Sequence, residues 1–142
     1  MNNYFSPKPG RFGTLPVPFQ SGRLNTGTLA AGTQTHNIGA MAAPCIINRV
    51  TLCAETFPTA ATSCTLQVFK MTGATALAVT AATDINAKTA DTPIQVPVIS
   101  TLTDAQRLLK SGDSLRVAIV TVGAVSAQPD DVSVVVELLV QE

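Results

Sequence analysis

Charge is scarce in this chain. Charged residues make up 13% of its 142 residues and hydrophobic residues 46%, whereas a typical soluble domain has about 25% charged residues. Because charge keeps most monomers soluble, we predict that other subunits cover part of this surface. The nine basic and nine acidic residues balance and form no basic cluster, which argues against a nucleic-acid partner.

Long apolar segments are also missing. The most apolar runs, residues 117–125 and 132–140, are too short to cross a bilayer as helices. Residues 1–10 contain prolines and polar residues where a signal peptide has an apolar core. The sequence therefore predicts a soluble protein that is made in the cytoplasm and has no membrane partner.

Residues suited to catalysis or metal binding are few. His36 is the only histidine, and the motifs GxSxG, HExxH, GxGxxG and the P-loop are absent. Asp130 and Asp131 follow Pro129 and favour a solvated turn over a calcium site, because adjacent residues on an extended chain point to opposite sides. We predict that the chain is not an enzyme and uses no cofactor or metal.

The three cysteines, Cys45, Cys53 and Cys64, lack the CxxC spacing of metal or redox sites. If Cys45 and Cys53 share one strand, they lie roughly 26 Å apart, which is too far for a disulfide. Cys53 and Cys64 could approach each other across a hairpin. Buried free thiols are nevertheless the prediction, since cysteine packs as a small hydrophobic residue in a reducing cytosol.

Residues 1–24 differ in composition from the rest of the chain. They hold four of the six aromatic residues, four prolines and three basic residues, with no acidic residue. Such dense proline blocks helix and central strand, so we predict an extended arm. Aromatic residues and arginine are enriched at interface hot spots, and an arm that folds back over its own domain is the alternative. The residues expected to bind a neighbouring subunit are Tyr4, Phe5, Lys8, Arg11, Phe12, Phe19 and Arg23.

From residue 25 onward, apolar and polar residues alternate with the period of two that indicates β-strands. In the clearest run, residues 132–140, the second face is also partly apolar, which predicts a central strand or one covered by a neighbouring subunit. Thr103 and Gln106 have capping-box spacing and predict one helical turn over residues 103–109. Further strands are predicted over residues 33–38, 44–55, 64–69, 76–83, 94–99 and 115–119.

Seven or eight short strands separated by turn residues predict an all-β fold. We expect residues 25–142 to form an antiparallel β-sandwich of the jelly-roll or Greek-key type, with residues 1–24 as an extended N-terminal arm.

The succession of these features resembles that of the capsid decoration proteins of tailed bacteriophages, which are also called cement or head-stabilisation proteins. A Pro/Gly-rich aromatic arm precedes a Thr/Ala/Val-rich β-domain that contains LKSGDSLRVAIV and ends in QPDDVSVVVELLV. The resemblance implies a homo-oligomer, often a trimer, on the outer capsid surface of the virion. There it binds the major capsid protein, stabilises the icosahedral shell, and its arm clamps neighbouring capsomers.

Two other functions remain open at this point. A head-fibre, tail or neck module that binds a receptor or glycan needs exposed aromatic residues on the β-domain, where Phe57 is the one available in a predicted loop. A metal-dependent hydrolase needs more histidine than the chain has. If the arm is the capsid-binding element, deletion of residues 1–21 should leave a folded domain that no longer binds capsids.

Overall fold

Strands that bury every second side chain follow from the alternation of apolar and polar residues. The structure, a computed structural model, describes residues 17–140, except for the side chains of residues 20–22. Its elements in chain order are β1 (Val17–Arg23), β2 (Gly32–Ala40), β3 (Cys45–Cys53), β4 (Thr59–Ala60), β5 (Ser63–Thr72), β6 (Thr75–Ala78), β7 (Thr83–Asp84), β8 (Ile94–Val96), α1 (Asp104–Arg107), β9 (Leu108–Leu109), β10 (Ser114–Val122), β11 (Val125–Ala127) and β12 (Ser133–Val140).

The long strands form two antiparallel sheets. The first sheet has the order β1-β12-β3-β8, with β9 also on β3, and the second sheet has the order β2-β10-β5-β6, with β7 also on β5. The pairs are nested, since β1 pairs with β12, β2 with β10, β3 with β8 and β5 with β6. Winding one long antiparallel ribbon over itself produces this nesting, which is the jelly-roll arrangement. The predicted all-β antiparallel sandwich is confirmed.

The core lies between the two sheets. Leu66, Val68 and Val117 of the second sheet and Val134 and Val136 of the first are fully buried. On β12, and on β5 up to Val68, buried residues are separated by one residue, as the alternation in the sequence predicts. On β10, Ala118 beside Val117 is buried as well. Burying one such side chain contributes about 1.5–3 kcal/mol, so the apolar face of each sheet stabilises the other.

Several predicted elements are confirmed in detail. β12 lies between β1 and β3 and is therefore a central strand. The helical turn is α1, in which the Thr103 hydroxyl accepts a hydrogen bond from the Gln106 N–H and the Gln106 side chain accepts one from the Thr103 N–H. It ends earlier than predicted, because residues 108–109 form β9. All three cysteines are free thiols, although Cys53 is half-buried rather than buried.

The single strand predicted over residues 76–83 is wrong. Regular pairing with β5 ends after Ala78, and Thr80 forms an isolated bridge with Val98 near the first sheet. The Val68 carbonyl still accepts the Val79 N–H at 3.0 Å, but the Val68 N–H donates to the Thr80 hydroxyl at 2.8 Å, so a side chain replaces one backbone bond of the ladder. Val79 and Thr80 are fully buried, and regular pairing with β5 resumes only at β7.

Residues 17–23 of the predicted arm form β1, the edge strand of the first sheet. Pro18 lies opposite Glu137 of β12, and proline is tolerated there because the outer side of an edge strand needs no hydrogen-bond donor. The sequence boundary at residue 24 thus falls at the end of a strand of the sandwich. Residues 1–16 of the predicted arm lie outside the described residues.

Candidate interaction surface

Two of the seven residues expected to contact a partner lie on β1. Phe19 is half-buried and Arg23 is exposed. The other five, which lie outside the described residues, are Tyr4, Phe5, Lys8, Arg11 and Phe12. The structure therefore shows where β1, the C-terminal part of the predicted arm, lies and which contacts hold it.

Phe19 holds the middle of β1 against the second sheet. It pairs with Val136 of β12 and packs against the core from the edge of the sandwich. Its ring lies over Gly39 of β2 so closely that a Cβ at Gly39 would overlap it. The φ of Gly39 is +142°, a backbone conformation that favours glycine. Phe19 can pack here because Gly39 has no Cβ and because glycine readily adopts this backbone conformation.

Arg23 holds the other end of β1. Its guanidinium forms ion pairs with Asp130 and with Asp131, the latter with 2.7 Å between Nε and Oδ1. All three side chains are about half exposed or more, so each pair stabilises β1 by less than about 1 kcal/mol. Asp131 has a φ of +48°, in agreement with the predicted turn. The charge of Arg23 is therefore already paired within its own chain.

The loop after β1 is also fixed to the sandwich. The Leu24 N–H donates to the Val132 carbonyl at 2.7 Å. The Gln128 side chain accepts the Leu29 N–H at 2.7 Å and donates to the Leu29 carbonyl at 3.1 Å. Leu24 and Leu29 are buried. An open cleft of about 300 Å³ lies beside Arg23 and is lined by residues 23–27 and 129–131. β1 is thus anchored at Phe19 and at Arg23, and the loop that follows it is hydrogen-bonded to the sandwich.

A second surface, the outer face, is the side of β2, β10 and β5 that points away from the first sheet. Val120 and Val122 of β10 are 39% and 47% exposed. Arg116, on the same side of β10, donates from Nε to the Asn37 Oδ1 at 3.2 Å. This surface was not among the sequence predictions, although Ala118, Val120 and Val122 make the second face of the run largely apolar.

A buried polar cluster closes the end of the sandwich where β5 meets the turn before β10. The Asp113 carboxylate accepts hydrogen bonds from the Thr72 hydroxyl and the Lys110 N–H, both at 2.9 Å. Lys70 lies with Nζ 3.7 Å from Asp113 Oδ2 and donates to the Leu108 carbonyl at 2.5 Å. Burial raises the pKa of Asp113, but these hydrogen bonds and the Lys70 charge outweigh it and lower the pKa below 3.8. The cluster is a structural tie.

The histidine and two of the cysteines considered in the sequence analysis, His36, Cys45 and Cys64, are buried or half-buried. Burial lowers the pKa of His36, and its Nε2 has no hydrogen-bond partner among residues 17–140. Burial raises the pKa of Cys45 and of Cys64, which keeps both thiols protonated near neutral pH.

Phe57, the aromatic residue that a glycan-binding domain would need, is 4% exposed and belongs to the core.

Within residues 17–140, no group of three or more His, Cys, Asp or Glu side chains is placed to hold a metal ion. The same part of the chain contains no helix with the length and hydrophobicity of a membrane span. Comparison of the chain with protein-family models, curated proteins and solved structures found no match.

Proposed function

We propose that this chain is a structural virion protein that binds the outer surface of an assembled icosahedral capsid. It stabilises the shell by bridging neighbouring major capsid proteins, as the resemblance to decoration proteins implies. The protein acts as a homo-oligomer, for which the resemblance favours a trimer, and by binding alone, without catalysis or a cofactor.

The anchored strand β1 is the observation that carries this proposal. Phe19 seats its middle on Gly39, and Arg23 pairs its end with Asp130 and Asp131. β1 is therefore a fixed point on the domain, from which residues 1–16 continue towards the N-terminus. A contact segment that starts from a fixed point loses less entropy on binding than one that starts from a mobile linker.

The residues of that segment suit a protein partner. Tyr4, Phe5 and Phe12 supply large apolar side chains, and Lys8 and Arg11 supply positive charge without any acidic residue. Aromatic residues and arginine contribute most of the binding free energy at many interfaces. The segment therefore fits an acidic surface with apolar pockets on neighbouring capsid subunits.

Oligomerisation would make modest individual contacts sufficient. Each additional arm of a homo-oligomer binds at the high effective concentration set by those already bound. Because the protein would bind the assembled shell and not its dispersed subunits, binding would shift the equilibrium towards the shell.

The fold determines where the test truncation must be made. Deletion of residues 1–21 would remove most of β1 and expose the edge of β12 together with Val136 and Leu138. With that deletion, a loss of capsid binding could come either from the missing contact residues or from a destabilised domain. Deletion of residues 1–16 leaves every described strand in place, and circular dichroism should show an unchanged domain.

Binding of the truncated chain to expanded capsids that lack this protein is then measured by co-sedimentation. We expect the deletion of residues 1–16 to abolish binding. A milder triple variant, with serine at Tyr4, Phe5 and Phe12, should weaken it strongly, while serine at Asn2 and Asn3 serves as the control. Undiminished binding of the truncated chain would refute the role of the segment.

A further inference from the structure

The outer face of β2, β10 and β5 is nearly without charge. On the described residues of these three strands, Arg116 is the only charged side chain that points outward, and Asn37 accepts a hydrogen bond from it. Outward-facing positions on β5 carry Thr65, Gln67 and Phe69, while Thr35 lies on β2. An exposed sheet face usually carries charge for solubility, so this composition indicates a surface that contacts another molecule.

Exposed apolar side chains concentrate at one end of this face. Within residues 17–140, the large hydrophobic residues classed as exposed are Val17, Val120 and Val122. Val120 and Val122 are neighbours on the outward side of β10, about 7 Å apart along the strand. They form a projection on the central strand of the face.

A hollow lies next to this projection. Ala118, the next outward residue of β10, is 7% exposed. A shallow groove of about 190 Å³ over it is lined by Thr33, Thr35, Phe69, Ala76, Arg116 and Ala118. The face therefore has a projection at Val120 and Val122 and a recess at Ala118, both on the same strand.

We propose that the outer face binds the outer face of a second copy of this chain. The two-fold axis lies between the two faces and crosses β10 at right angles between Ala118 and Val120. Val120 of each copy then enters the hollow over Ala118 of the other. In a two-fold interface the same residues meet reciprocally, which requires one face to carry both the projection and the recess.

The absence of charge favours a second copy over the other possible occupants. Identical faces bring identical charges together, and on β2, β10 and β5 only Arg116 carries one on this face. Asp84 of β7, opposite Thr65 at the edge of the face, is already paired with Lys88 at 2.7 Å. The segment formed by residues 1–16 carries Lys8 and Arg11 without an acidic residue. Arg116 would repel it.

The size of the face predicts the strength of the contact. β10 pairs with both neighbours from Ser114 to Thr121, which gives a flat area of about 400 Å² per copy at standard strand dimensions. Two copies would bury about 800 Å², below the 1,200–2,000 Å² of stable complexes. The association is therefore weak and depends on concentration. It joins copies in pairs and is distinct from the contacts that would build the proposed trimer.

Sedimentation equilibrium of the full chain, from about 10 µM to about 1 mM, tests the proposal. The wild type should self-associate, and Val120→Lys with Val122→Lys should weaken the association at least about tenfold. Val17→Lys is the matched control, because Val17 is 49% exposed but lies on β1. It should associate like the wild type, and circular dichroism verifies that all variants are folded.

Mixing variants identifies the partner as a second copy. Chains with Val120→Lys and chains with Val120→Glu should each associate poorly, and an equimolar mixture should regain the association, because the two opposite charges then lie on either side of the axis, about 7 Å apart along the strands. A monomeric wild type at all concentrations would overturn the proposal. So would a double-lysine variant that associates like the wild type, a Val17→Lys chain that is weakened equally, or a mixture without recovery.

Discussion

Replacement of Gly39 by alanine should displace the ring of Phe19 and loosen β1 from the sandwich. A Cβ at this position would overlap the ring, and the φ of +142° is one that alanine adopts only under strain. The strain alone costs about 1–3 kcal/mol. Loss of a fully buried phenylalanine costs about 3–5 kcal/mol, so displacement of the half-buried Phe19 adds roughly 2 kcal/mol.

The free energy of unfolding, measured by urea denaturation with circular dichroism, separates these two costs. Gly39→Ala should lower it by about 3–5 kcal/mol in the wild-type background. In a Phe19→Ala background, the same change should cost only the backbone strain, so the coupling between the two positions is roughly 2 kcal/mol.

Gly32→Ala is the matched control for this cycle. Gly32 lies on the same strand with a φ of +129°, and no atom lies within 4 Å of the Cβ that alanine would add. Its cost should therefore be the same with and without Phe19. A coupling between Gly39 and Phe19 below about 0.5 kcal/mol, the usual limit of additivity, would contradict the described seating of β1.

Three further predictions concern other parts of the domain. Because the pKa of Asp113 is lowered, its ionised form stabilises the fold above pH 3.8, and that contribution is lost as pH falls through the folded-state pKa. Asp113→Asn should lower the free energy of unfolding by about 3–5 kcal/mol at pH 7 and make that free energy less dependent on pH in the acid range. A variant that loses stability in acid as steeply as the wild type would argue against the cluster. Thr103→Ala should cost about 1 kcal/mol in urea denaturation through loss of the N-cap, and an unchanged midpoint would count against the capping box. Iodoacetamide at pH 8 should label Cys53 before the buried Cys45 and Cys64, as peptide mass mapping would show; equal labelling rates in the folded protein would contradict their burial.

The strands that bury one face were predictable because their pattern is local. Alternating apolar residues in the stretches that became β5, β10 and β12 give the period of two directly, and the Thr103 capping box is specified by two residues three positions apart. Short turn-separated strands also predicted the sandwich. The nested order of the strands needed the structure, since pairing between distant strands leaves no local pattern.

The elements that were missed depend on contacts between distant residues. The end of the predicted arm is a strand because Phe19 finds a seat at Gly39, a residue 20 positions away. The strand predicted over residues 76–83 is divided because the Thr80 hydroxyl takes the Val68 N–H. Neither contact is visible in hydrophobic periodicity, which reports only which face of a strand is buried.

The interaction residues could also be predicted only in part, because residue type does not reveal contacts between distant residues. Residue type identifies Tyr4, Phe5 and Phe12 as contact residues, and this stays a prediction. Residue type alone cannot show that Arg23 is paired with Asp130 and Asp131 of its own chain. Nor does it distinguish the exposed Val120 from the buried Val117 of the same strand.

The most direct test of the proposed function is co-sedimentation of the full chain with expanded capsids that lack it, read together with the mass of the free protein by light scattering. We expect saturable binding at a fixed ratio to the major capsid protein, and a higher heat resistance of shells that are saturated with the protein. A protein that remains in the supernatant at all concentrations, with shell stability unchanged, would contradict it.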